Sequence, residues 1–261
     1  MNPTIRLEAL EKSFDGVPAV AGLTFDVREG ELFGLVGPDG AGKTTTIRML
    51  ASVLEPASGD AWIAGHSVRT EPEAVKKEIG YMSQRFGLYP DLTVEENIRF
   101  YADVYGVSGR ERRERQERLL EFSRLTAFKG RLAGHLSGGM KQKLGLVCAL
   151  VHTPGVLLLD EPTNGVDPVS RREFWRILYQ LLREGVTVFV STAYLDEAER
   201  CNRIGLLYRG RLIACDTPAA VKALMKERIL ELHTPSPREA ARLMKREFGP
   251  EAAGLFGDSL S

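Results

Sequence analysis

The stretch of sequence that decides the fold is Gly37-Pro-Asp-Gly-Ala-Gly-Lys-Thr-Thr45. It follows an apolar run, Leu32–Val36, that predicts a buried strand, and it leads into Thr45–Leu50, whose apolar spacing predicts a helix. A glycine-rich loop between a strand and a helix is typical of a phosphate-binding loop when it ends in Gly-Lys-Thr. Glycines allow the tight turn that aims successive backbone N–H groups at phosphates, and the helix N-terminus adds the positive end of its dipole.

The loop therefore predicts a site for a nucleoside triphosphate. Its predicted binding residues are Gly37, Pro38, Asp39, Gly40, Ala41, Gly42, Lys43, Thr44 and Thr45. We expect Lys43 to reach the β- and γ-phosphates and the Thr44 hydroxyl to ligate Mg²⁺. The alternative interpretation is an ordinary glycine-rich turn with an exposed lysine, and the flanking strand and helix argue against it.

Composition restricts the class of protein. The 261 residues include 35 basic and 35 acidic side chains, so no strong overall attraction to nucleic acid or to anionic lipid follows. The three cysteines are unevenly spaced and predict buried thiols in a reducing compartment rather than disulfides. No apolar run approaches the ~20 residues that span a bilayer. Membrane-spanning helices would therefore come from another chain or from another part of this one.

Two further strands end in polar side chains that suit phosphate chemistry. The aliphatic run Val156–Asp160 predicts a central parallel strand followed by a second carboxylate, Glu161. Ligands bind α/β sheets at this end of the strands, so we expect Asp160 to hold Mg²⁺ and Glu161 to polarise water against the γ-phosphate. Gln84 ends the predicted strand Ile79–Gln84 and is interpreted either as a solvated strand end or as a residue near Mg²⁺ and the attacking water.

The region from Thr93 to about His135 has a helical pattern throughout, which predicts a distinct helical subdomain. Thr93 and Glu96 form a predicted capping box. The run Arg110–Arg118 suggests either a nucleic-acid patch or a solvated helix face, and its three glutamates favour the solvated face. We therefore predict no nucleic-acid partner. After this region, Leu136–Leu144 predicts a helix capped by Ser137, which in isolation indicates nothing beyond a capped helix.

Two predictions concern aromatic side chains. Phe174, Trp175 and Tyr179 lie in a helix predicted from Val169 to Arg183, and we expect all three in the core. Spacing alone favours Phe14 as a loop anchor that packs on the sheet.

Taken together, the motifs resemble the nucleotide-binding subunit of ABC transporters over roughly residues 4–226. The phosphate loop, Gln84, Leu136-Ser-Gly-Gly-Met140 and Val156–Pro162 occur in the order and spacing of that family. The resemblance implies an α/β fold: a P-loop NTPase core with a mainly parallel sheet, an N-terminal antiparallel β region and a helical subdomain over roughly 85–155. It also implies a cassette over residues 1–226 and a C-terminal extension over 227–261.

The resemblance assigns roles to further residues. Phe14 falls where the family places an aromatic ring that stacks on adenine, which reverses the interpretation from spacing. Ser137, Gly138 and Gly139 match the signature that caps the γ-phosphate of ATP bound by a second cassette. Gln84 matches the glutamine that links the ATP site to the membrane domain, and Asp167 matches the aspartate of the loop that crosses the dimer interface.

The resemblance also implies partners and a location. The sequences of Val166–Arg172 and Tyr194–Glu199 resemble those of the ABC-2 branch, whose members export drugs, polysaccharides, lipids or ions. Ser83–Tyr89 resembles the first half of tandem two-cassette ATPases. These features imply an ATPase that works with Mg²⁺, a second cassette in a homodimer or a tandem or heteromeric pair, and an ABC-2 permease. The chain would then lie peripherally on the cytoplasmic side of the cell membrane.

One position departs from the family pattern, and it leaves alternatives open. The family has a histidine after Ser-Thr at the end of the last core strand, where this chain has Ala193. This departure favours slow turnover in an asymmetric pair of sites, so a regulatory ATP-binding partner is one alternative. A soluble ABC protein acting on ribosomes or DNA is another. The apolar run Leu255–Leu260 stops abruptly before Ser261, which predicts either a frayed tail or a fragment of a longer chain that carries a second cassette.

Overall fold

The computed structural model describes residues 3–84, 87–224, 232 and 234–249, with the backbone of 255–256 and 259–260. It divides into two units, Met1–Pro218 and Ala219–Ser261. The predicted boundary between 226 and 227, and the predicted first residue of the helical subdomain, residue 85, lie outside the described residues. The described part of the chain contains no helix with the length and apolar character that a membrane span requires.

The strands of the larger unit form two sheets. They are β1 (Pro3–Phe14), β2 (Val17–Arg28), β3 (Leu32–Val36), β4 (Ser58–Ile63), β5 (His66–Ser67), β6 (Ile79–Met82), β7 (Val156–Asp160), β8 (Thr187–Thr192), β9 (Arg203–Tyr208) and β10 (Arg211–Asp216). One sheet has the order β2-β1-β4-β5 and is antiparallel, as predicted for the N-terminal region. The other has the order β10-β9-β3-β8-β7-β6 and is parallel except for β10.

The parallel sheet explains why the predicted polar residues converge. Every residue of β3, β7 and β8 is buried, which accounts for their nearly continuous apolar sequences. Because these strands run in the same direction, their carboxyl ends lie at one edge of the sheet. The phosphate loop leaves that edge from β3, Asp160 ends β7, and the Ser191-Thr192 pair ends β8.

The helices of the larger unit lie between and beside these strands. They are α1 (Lys43–Leu50), α2 (Pro72–Glu78), α3 (Val94–Val104), α4 (Gly109–Phe122), α5 (Gly138–Leu150), α6 (Pro168–Arg183), α7 (Leu195–Ala198) and α8 (Pro218–Ala223), which extends from Pro218 into the smaller unit. The predicted capping box is confirmed, because Thr93 Oγ1 accepts from the Glu96 backbone and the Glu96 carboxylate accepts from Thr93 N. Ser137 caps α5 as predicted.

The helical region is less continuous than the sequence pattern indicated. Residues 105–108 separate α3 from α4, and two short 3-10 turns, Thr126–Phe128 and Ala133–His135, follow. The break coincides with Gly106, whose φ of 71° lies in the left-handed region that glycine tolerates. Helices α3, α4 and α5 still share one apolar core that includes Ile98, Leu120 and Leu144. This core is separate from the one beneath the two sheets.

Buried side chains confirm most predictions about the core and correct two. Phe174 and Trp175 are each 1% exposed, as predicted, but Tyr179 is 36% exposed. The prediction for Tyr179 was wrong because this residue lies at the edge of the buried face of α6, where its hydroxyl reaches the carbonyl of Arg200. Cys148 and Cys201 are buried free thiols, as predicted, whereas the free thiol Cys215 is only partly buried. Burial raises the pKa of Cys201 to about 12. A thiol with so high a pKa is unreactive at neutral pH.

The smaller unit contains α9 (Pro237–Phe248) and two short strands, β11 (Leu255–Phe256) and β12 (Ser259–Leu260), which pair in antiparallel fashion. The rest of the terminal run that suggested a longer chain lies outside the described residues.

Candidate functional site

The phosphate loop is held against its neighbours by close backbone contacts. Gly37 N donates to the carbonyl of Thr192 at 3.3 Å, which joins the loop to the end of β8. Gly42 has a φ of 106°, and a Cβ built on it would lie 2.3 Å from the Ala19 carbonyl oxygen. Only glycine therefore fits this position. Gly42 caps α1 without a side-chain hydrogen bond, so the first N–H groups of the helix are left to other acceptors.

A cavity of about 430 Å³ lies beside this helix start. Its volume is within the range of small-molecule sites. It brings together nine of the residues predicted from sequence: Phe14, Asp39, Gly40, Gly42, Lys43, Thr44, Thr45, Gln84 and Glu161. Gly37, Pro38 and Ala41 do not line this cavity, and the carbonyls of Gly37 and Pro38 instead orient Lys43. A groove that ends in helix N–H groups and a lysine fits a polyphosphate.

Lys43 and Glu161 form the most buried ion pair of the cavity. Lys43 Nζ lies 3.0 Å from Glu161 Oε1, and the two side chains are 3% and 10% exposed. The same ammonium donates to Gly37 O at 2.7 Å and to Pro38 O at 3.0 Å. The alternative interpretation, a glycine-rich turn with an exposed lysine, is therefore wrong, because Lys43 is buried. The ammonium is preorganised at the base of the cavity.

Asp160 and Thr44 form a pair suited to a divalent cation. Thr44 Oγ1 and Ser191 Oγ donate to Asp160 Oδ1 at 3.0 and 2.8 Å. Among the described residues, the buried Oδ2 atom has no hydrogen-bond partner. Burial raises the pKa of Asp160, and the hydrogen bonds from Ser191 and Thr44 oppose that shift. A buried carboxylate oxygen without a donor, next to a hydroxyl, fits Mg²⁺, which binds through one or two carboxylates and further oxygens.

Glu161 is placed by an unusual backbone conformation. Its φ is 47°, in the left-handed region that is rare for a residue with a side chain, and such strain is concentrated at functional sites. Its N–H donates to Ser191 Oγ at 3.0 Å. Gln84 Nε2 donates to Glu161 Oε2 at 3.2 Å, so the ends of β6 and β7 meet at this carboxylate. Gln84 is exposed and also makes this contact, so its position agrees both with a solvated strand end and with a place beside the acidic site.

Phe14 lies at the rim of the cavity rather than packed on the sheet. It is 48% exposed, and Lys12 Nζ lies 5.8 Å from the centre of its ring. The interpretation from spacing alone, a packed loop anchor, is therefore wrong. An exposed aromatic face beside a phosphate site leaves a surface on which a planar base could stack.

The predicted signature residues lie away from this cavity. Ser137 Oγ accepts from Met140 N at 3.3 Å and so caps α5, while a Cβ on Gly139 would lie 2.3 Å from the side chain of Ser170. A Cβ on Gly138 would meet no atom of the described residues within 4 Å. Asp167 caps α6 through the N–H groups of Val169 and Ser170, and the bond from Ser170 N lowers the pKa of Asp167.

Comparison with known proteins decides the family. The family model described as "ABC transporter" matches residues 20–164. The chain belongs to the ABC transporter family. It is an ATP-binding cassette of this family, and its fold is that of other such cassettes. A dimeric ATP-binding cassette in a post-hydrolysis state with ADP and Pi is 26% identical to it, with a TM-score of 0.75, over 82% of this chain and 98% of that one.

Two relatives show which members of the family the cassette resembles in sequence. It is 51% identical over 233 residues to the probable multidrug ABC transporter ATP-binding protein YbhF of Escherichia coli (strain K12). That match covers 88% of this chain but only 40% of the relative. The cassette is also 39% identical to the daunorubicin/doxorubicin resistance ATP-binding protein DrrA of Streptomyces peucetius, over 94% of this chain and 76% of the relative.

The sequence reasoning missed several residues that contact the cassette's acidic site. Ser191 bonds to both Asp160 and Glu161, and Asn164 Nδ2 donates to Glu161 Oε2 at 3.3 Å. Tyr194 Oη in turn donates to Asn164 Oδ1 at 3.3 Å. Ser191 could have been found from its place at the end of a buried parallel strand. No local signal marks the side-chain contact between Asn164 and Tyr194, because 30 residues separate them.

Proposed function

We propose that the cassette binds Mg²⁺-ATP in the 430 Å³ cavity and hydrolyses the nucleotide to ADP and phosphate. One observation carries this proposal: Lys43 and Gln84 both contact Glu161 beside the open start of α1. Within the loop from Gly37 to Thr45, the N–H groups of Gly40, Gly42, Lys43, Thr44 and Thr45 would bind the phosphates, while Gly37, Pro38, Asp39 and Ala41 would shape the turn. Phe14 would stack on adenine.

Thr44, Asp160 and Gln84 would hold Mg²⁺. The hydroxyl of Thr44 already lies 3.0 Å from Asp160, and Gln84 contacts the neighbouring glutamate. The ion would supply positive charge that neutralises the β- and γ-phosphate oxygens. Ser191 holds the other Asp160 oxygen, so the unpartnered Oδ2 is the atom that we assign to the metal site.

Glu161, Gln84 and Lys43 are the residues to which we assign catalysis. Glu161 would accept a proton from the attacking water, and Gln84 would orient that water. Lys43 would leave its pairing with Glu161 for the γ-phosphate, so nucleotide binding would free the carboxylate to act as a base. The 3.0 Å contact between Lys43 Nζ and Glu161 Oε1, and the place of both side chains in the lining of the cavity, support this exchange.

Two cassettes would act together. Ser137, Gly138 and Gly139 do not line the cavity that holds the other site residues, and the open space beside Gly138 suits the close approach of an anionic group. We propose that these residues cap the γ-phosphate bound by a second cassette, with Asp167 in the loop that crosses the interface. The second cassette is either another copy of this chain or a tandem or heteromeric partner.

The cassette would energise export through an ABC-2 type permease, at the cytoplasmic side of the cell membrane. The names of YbhF, a probable multidrug transporter protein, and DrrA, a drug resistance protein, support this assignment. The cassette would extend over residues 1–226 with a C-terminal extension over 227–261. Co-purification with membranes is expected, whereas co-purification with ribosomes or DNA would contradict the assignment.

Phosphate release by the purified chain tests the hydrolytic part of the proposal. Glu161→Gln should abolish Mg²⁺-dependent release and leave ATP binding intact. The matched control is Glu73→Gln, because Glu73 is an exposed glutamate on α2 that pairs with Lys76. Phosphate release that is equal in the parent and in Glu161→Gln would contradict the assignment of Glu161.

A second candidate function rests on one position. Ala193 has a side chain that cannot donate a hydrogen bond, at the end of the strand that contacts the phosphate loop. It favours a low-turnover regulatory cassette that binds ATP and leaves most hydrolysis to a partner site. An ATPase rate that rises strongly only when a second, different cassette is added would support this candidate over the first.

A further inference from the structure

The carboxylate of Glu161 has three side-chain partners, and one of them has no role in the proposed function. Lys43 lies 3.0 Å from Oε1, while Gln84 and Asn164 donate to Oε2 at 3.2 and 3.3 Å. Lys43 and Gln84 are assigned to the phosphates and to the metal. Once Lys43 and Gln84 bind the phosphates and the metal, Asn164 is the described side chain that still donates a hydrogen bond to Glu161.

Asn164 is oriented by two contacts. Its backbone N–H donates to the Glu161 carbonyl at 3.2 Å, which closes a tight turn and places the two side chains next to each other. Tyr194 Oη donates to Asn164 Oδ1 at 3.3 Å. Because that bond occupies the amide oxygen, the amide NH₂ group is the end that faces Glu161.

Tyr194 is itself held in place from both sides. The guanidinium of Arg171 lies 4.6 Å from the centre of its ring, a distance typical of a cation–π contact. Its backbone N–H donates to Thr192 Oγ1 at 3.0 Å. Thr192 Oγ1 then donates to Glu197 Oε2 at 2.7 Å.

The carboxylate of Glu197 anchors the segments that carry both residues. Glu197 is 1% exposed and accepts from Thr192 on one oxygen and from Thr163 on the other. Thr163 directly precedes Asn164, and Thr192 lies two residues before Tyr194. A single buried acid therefore fixes the distance between the loop after β7, which carries Asn164, and the loop after β8, which carries Tyr194. The hydrogen bond between Tyr194 and Asn164 joins the same two loops.

We propose that Asn164 and Tyr194 are positioning residues for Glu161: Tyr194 orients the amide of Asn164, and that amide holds the carboxylate towards the γ-phosphate end of the cavity. The proposal rests on the proposed function, since it gives Glu161 the role of base. The loop after β8 thus contributes to the site through Tyr194, although the methyl group of Ala193 in the same loop cannot form such a hydrogen bond.

Steady-state ATPase kinetics of Asn164→Ala, Tyr194→Phe and the double variant test the pair. Tyr194→Phe should lower kcat by about 2- to 10-fold, the factor for a hydrogen bond between neutral groups. Asn164→Ala should lower it by about 10- to 150-fold, because the Asn164 amide donates to a carboxylate. KM for ATP should change less than about twofold, because in the described contacts neither side chain bonds to the phosphate loop. The double variant should match Asn164→Ala alone, since Tyr194 acts only through Asn164.

Controls separate this role from general damage to the fold. Tyr179→Phe also removes a partly exposed tyrosine hydroxyl that bonds a carbonyl, and it should leave kcat unchanged. Independent, additive losses in the double variant, or a raised KM with unchanged kcat, would overturn the proposal. Activity that depends on Glu161 but not on Asn164 would overturn this inference alone. Activity that is unaffected by Glu161→Gln would overturn the proposed function as well.

Discussion

Replacing Lys43 by methionine separates two roles of one ammonium group. Lys43 Nζ bonds to two loop carbonyls and lies 3.0 Å from Glu161 Oε1, with only 3% of the side chain exposed. Methionine keeps an unbranched side chain of similar length, so packing should survive while the charge is lost. Lys43→Met should therefore weaken ATP binding and also leave Glu161 without its cationic partner.

The magnitudes follow from these contacts. A hydrogen bond to a charged group contributes about 1.5–3 kcal/mol, so Kd for ATP should rise about 10- to 150-fold. Removing one partner of a buried ion pair destabilises a protein by about 3–5 kcal/mol. We expect the lower end here, because Glu161 keeps neutral donors from Gln84 and Asn164. The double variant Lys43→Met/Glu161→Gln contains neither charge and should regain most of the stability but none of the ATP affinity.

Titration calorimetry with ATP and denaturant unfolding measure the two effects separately. Lys76→Met is the matched control, because Lys76 is an exposed lysine whose ion pair with Glu73 lies on the surface of α2. It should change neither quantity by more than about 1 kcal/mol. An ATP affinity of Lys43→Met within twofold of the parent would refute the assignment of the phosphate loop. Lys43→Met should lose more stability than the double variant, so equal losses in the two variants would refute the role of the ion pair.

Two further predictions concern the metal and pH. Asp160→Asn should remove the gain in ATP affinity that Mg²⁺ provides and leave metal-free binding in place; fluorescence titrations with Mg²⁺ and with EDTA check this, and an unchanged Mg²⁺ effect contradicts it. Burial lowers the pKa of His152, with a smaller contribution from Arg115, while Nε2 bonds to the Ile79 carbonyl. A lowered folded-state pKa means that stability is present above pH ~6.5 and is lost as the pH falls towards the folded value. His152→Phe should keep the ring stacked on Tyr105. In denaturant unfolding, the free energy of unfolding of this variant should fall less between pH 7 and pH 5 than that of the parent. An equal fall in both proteins would contradict this prediction.

Much of the fold follows from local sequence signals. The run Leu32–Val36 is buried at every position, and the capping box at Thr93 and the cap at Ser137 use side chains adjacent to the helices that they start. The geometry of the phosphate loop is similarly local, because Gly42 requires a positive φ at the start of α1. Motifs of this kind can be predicted because all the interacting groups lie within a few residues.

The remaining features depend on contacts between distant segments. The 48% exposure of Phe14 contradicts the packed anchor that spacing favours, since spacing does not show on which side of a loop a ring lies. The hydrogen bond of Gln84 to Glu161 joins residues 77 apart. Glu197 reads in sequence as part of an acidic helix, yet it is buried and accepts from Thr163 and Thr192. Neither a hydrophobic period nor a sequence motif predicts a buried carboxylate in such a segment.

Position 193 provides the strongest test of how this cassette turns over ATP. Gly37 N bonds to the Thr192 carbonyl, so residue 193 directly follows the point where β8 contacts the phosphate loop. Its side chain is exposed, so a larger residue meets little steric resistance. A histidine there would supply a donor towards charge that develops on the γ-phosphate, which a methyl group cannot do.

Ala193→His should therefore raise the ATPase rate of the chain. Removing one such donor from an enzyme typically lowers the rate by ~10²–10³, which sets the upper limit of the gain. We expect about tenfold, because a histidine added to this loop lacks partners that fix its ring. Adding Glu161→Gln should abolish the gain, since the donor acts on a reaction that still needs the base. If the unmodified chain already turns over at ~1 s⁻¹ or more, within the usual range of enzymes, another group supplies the donor and the asymmetric-site hypothesis fails.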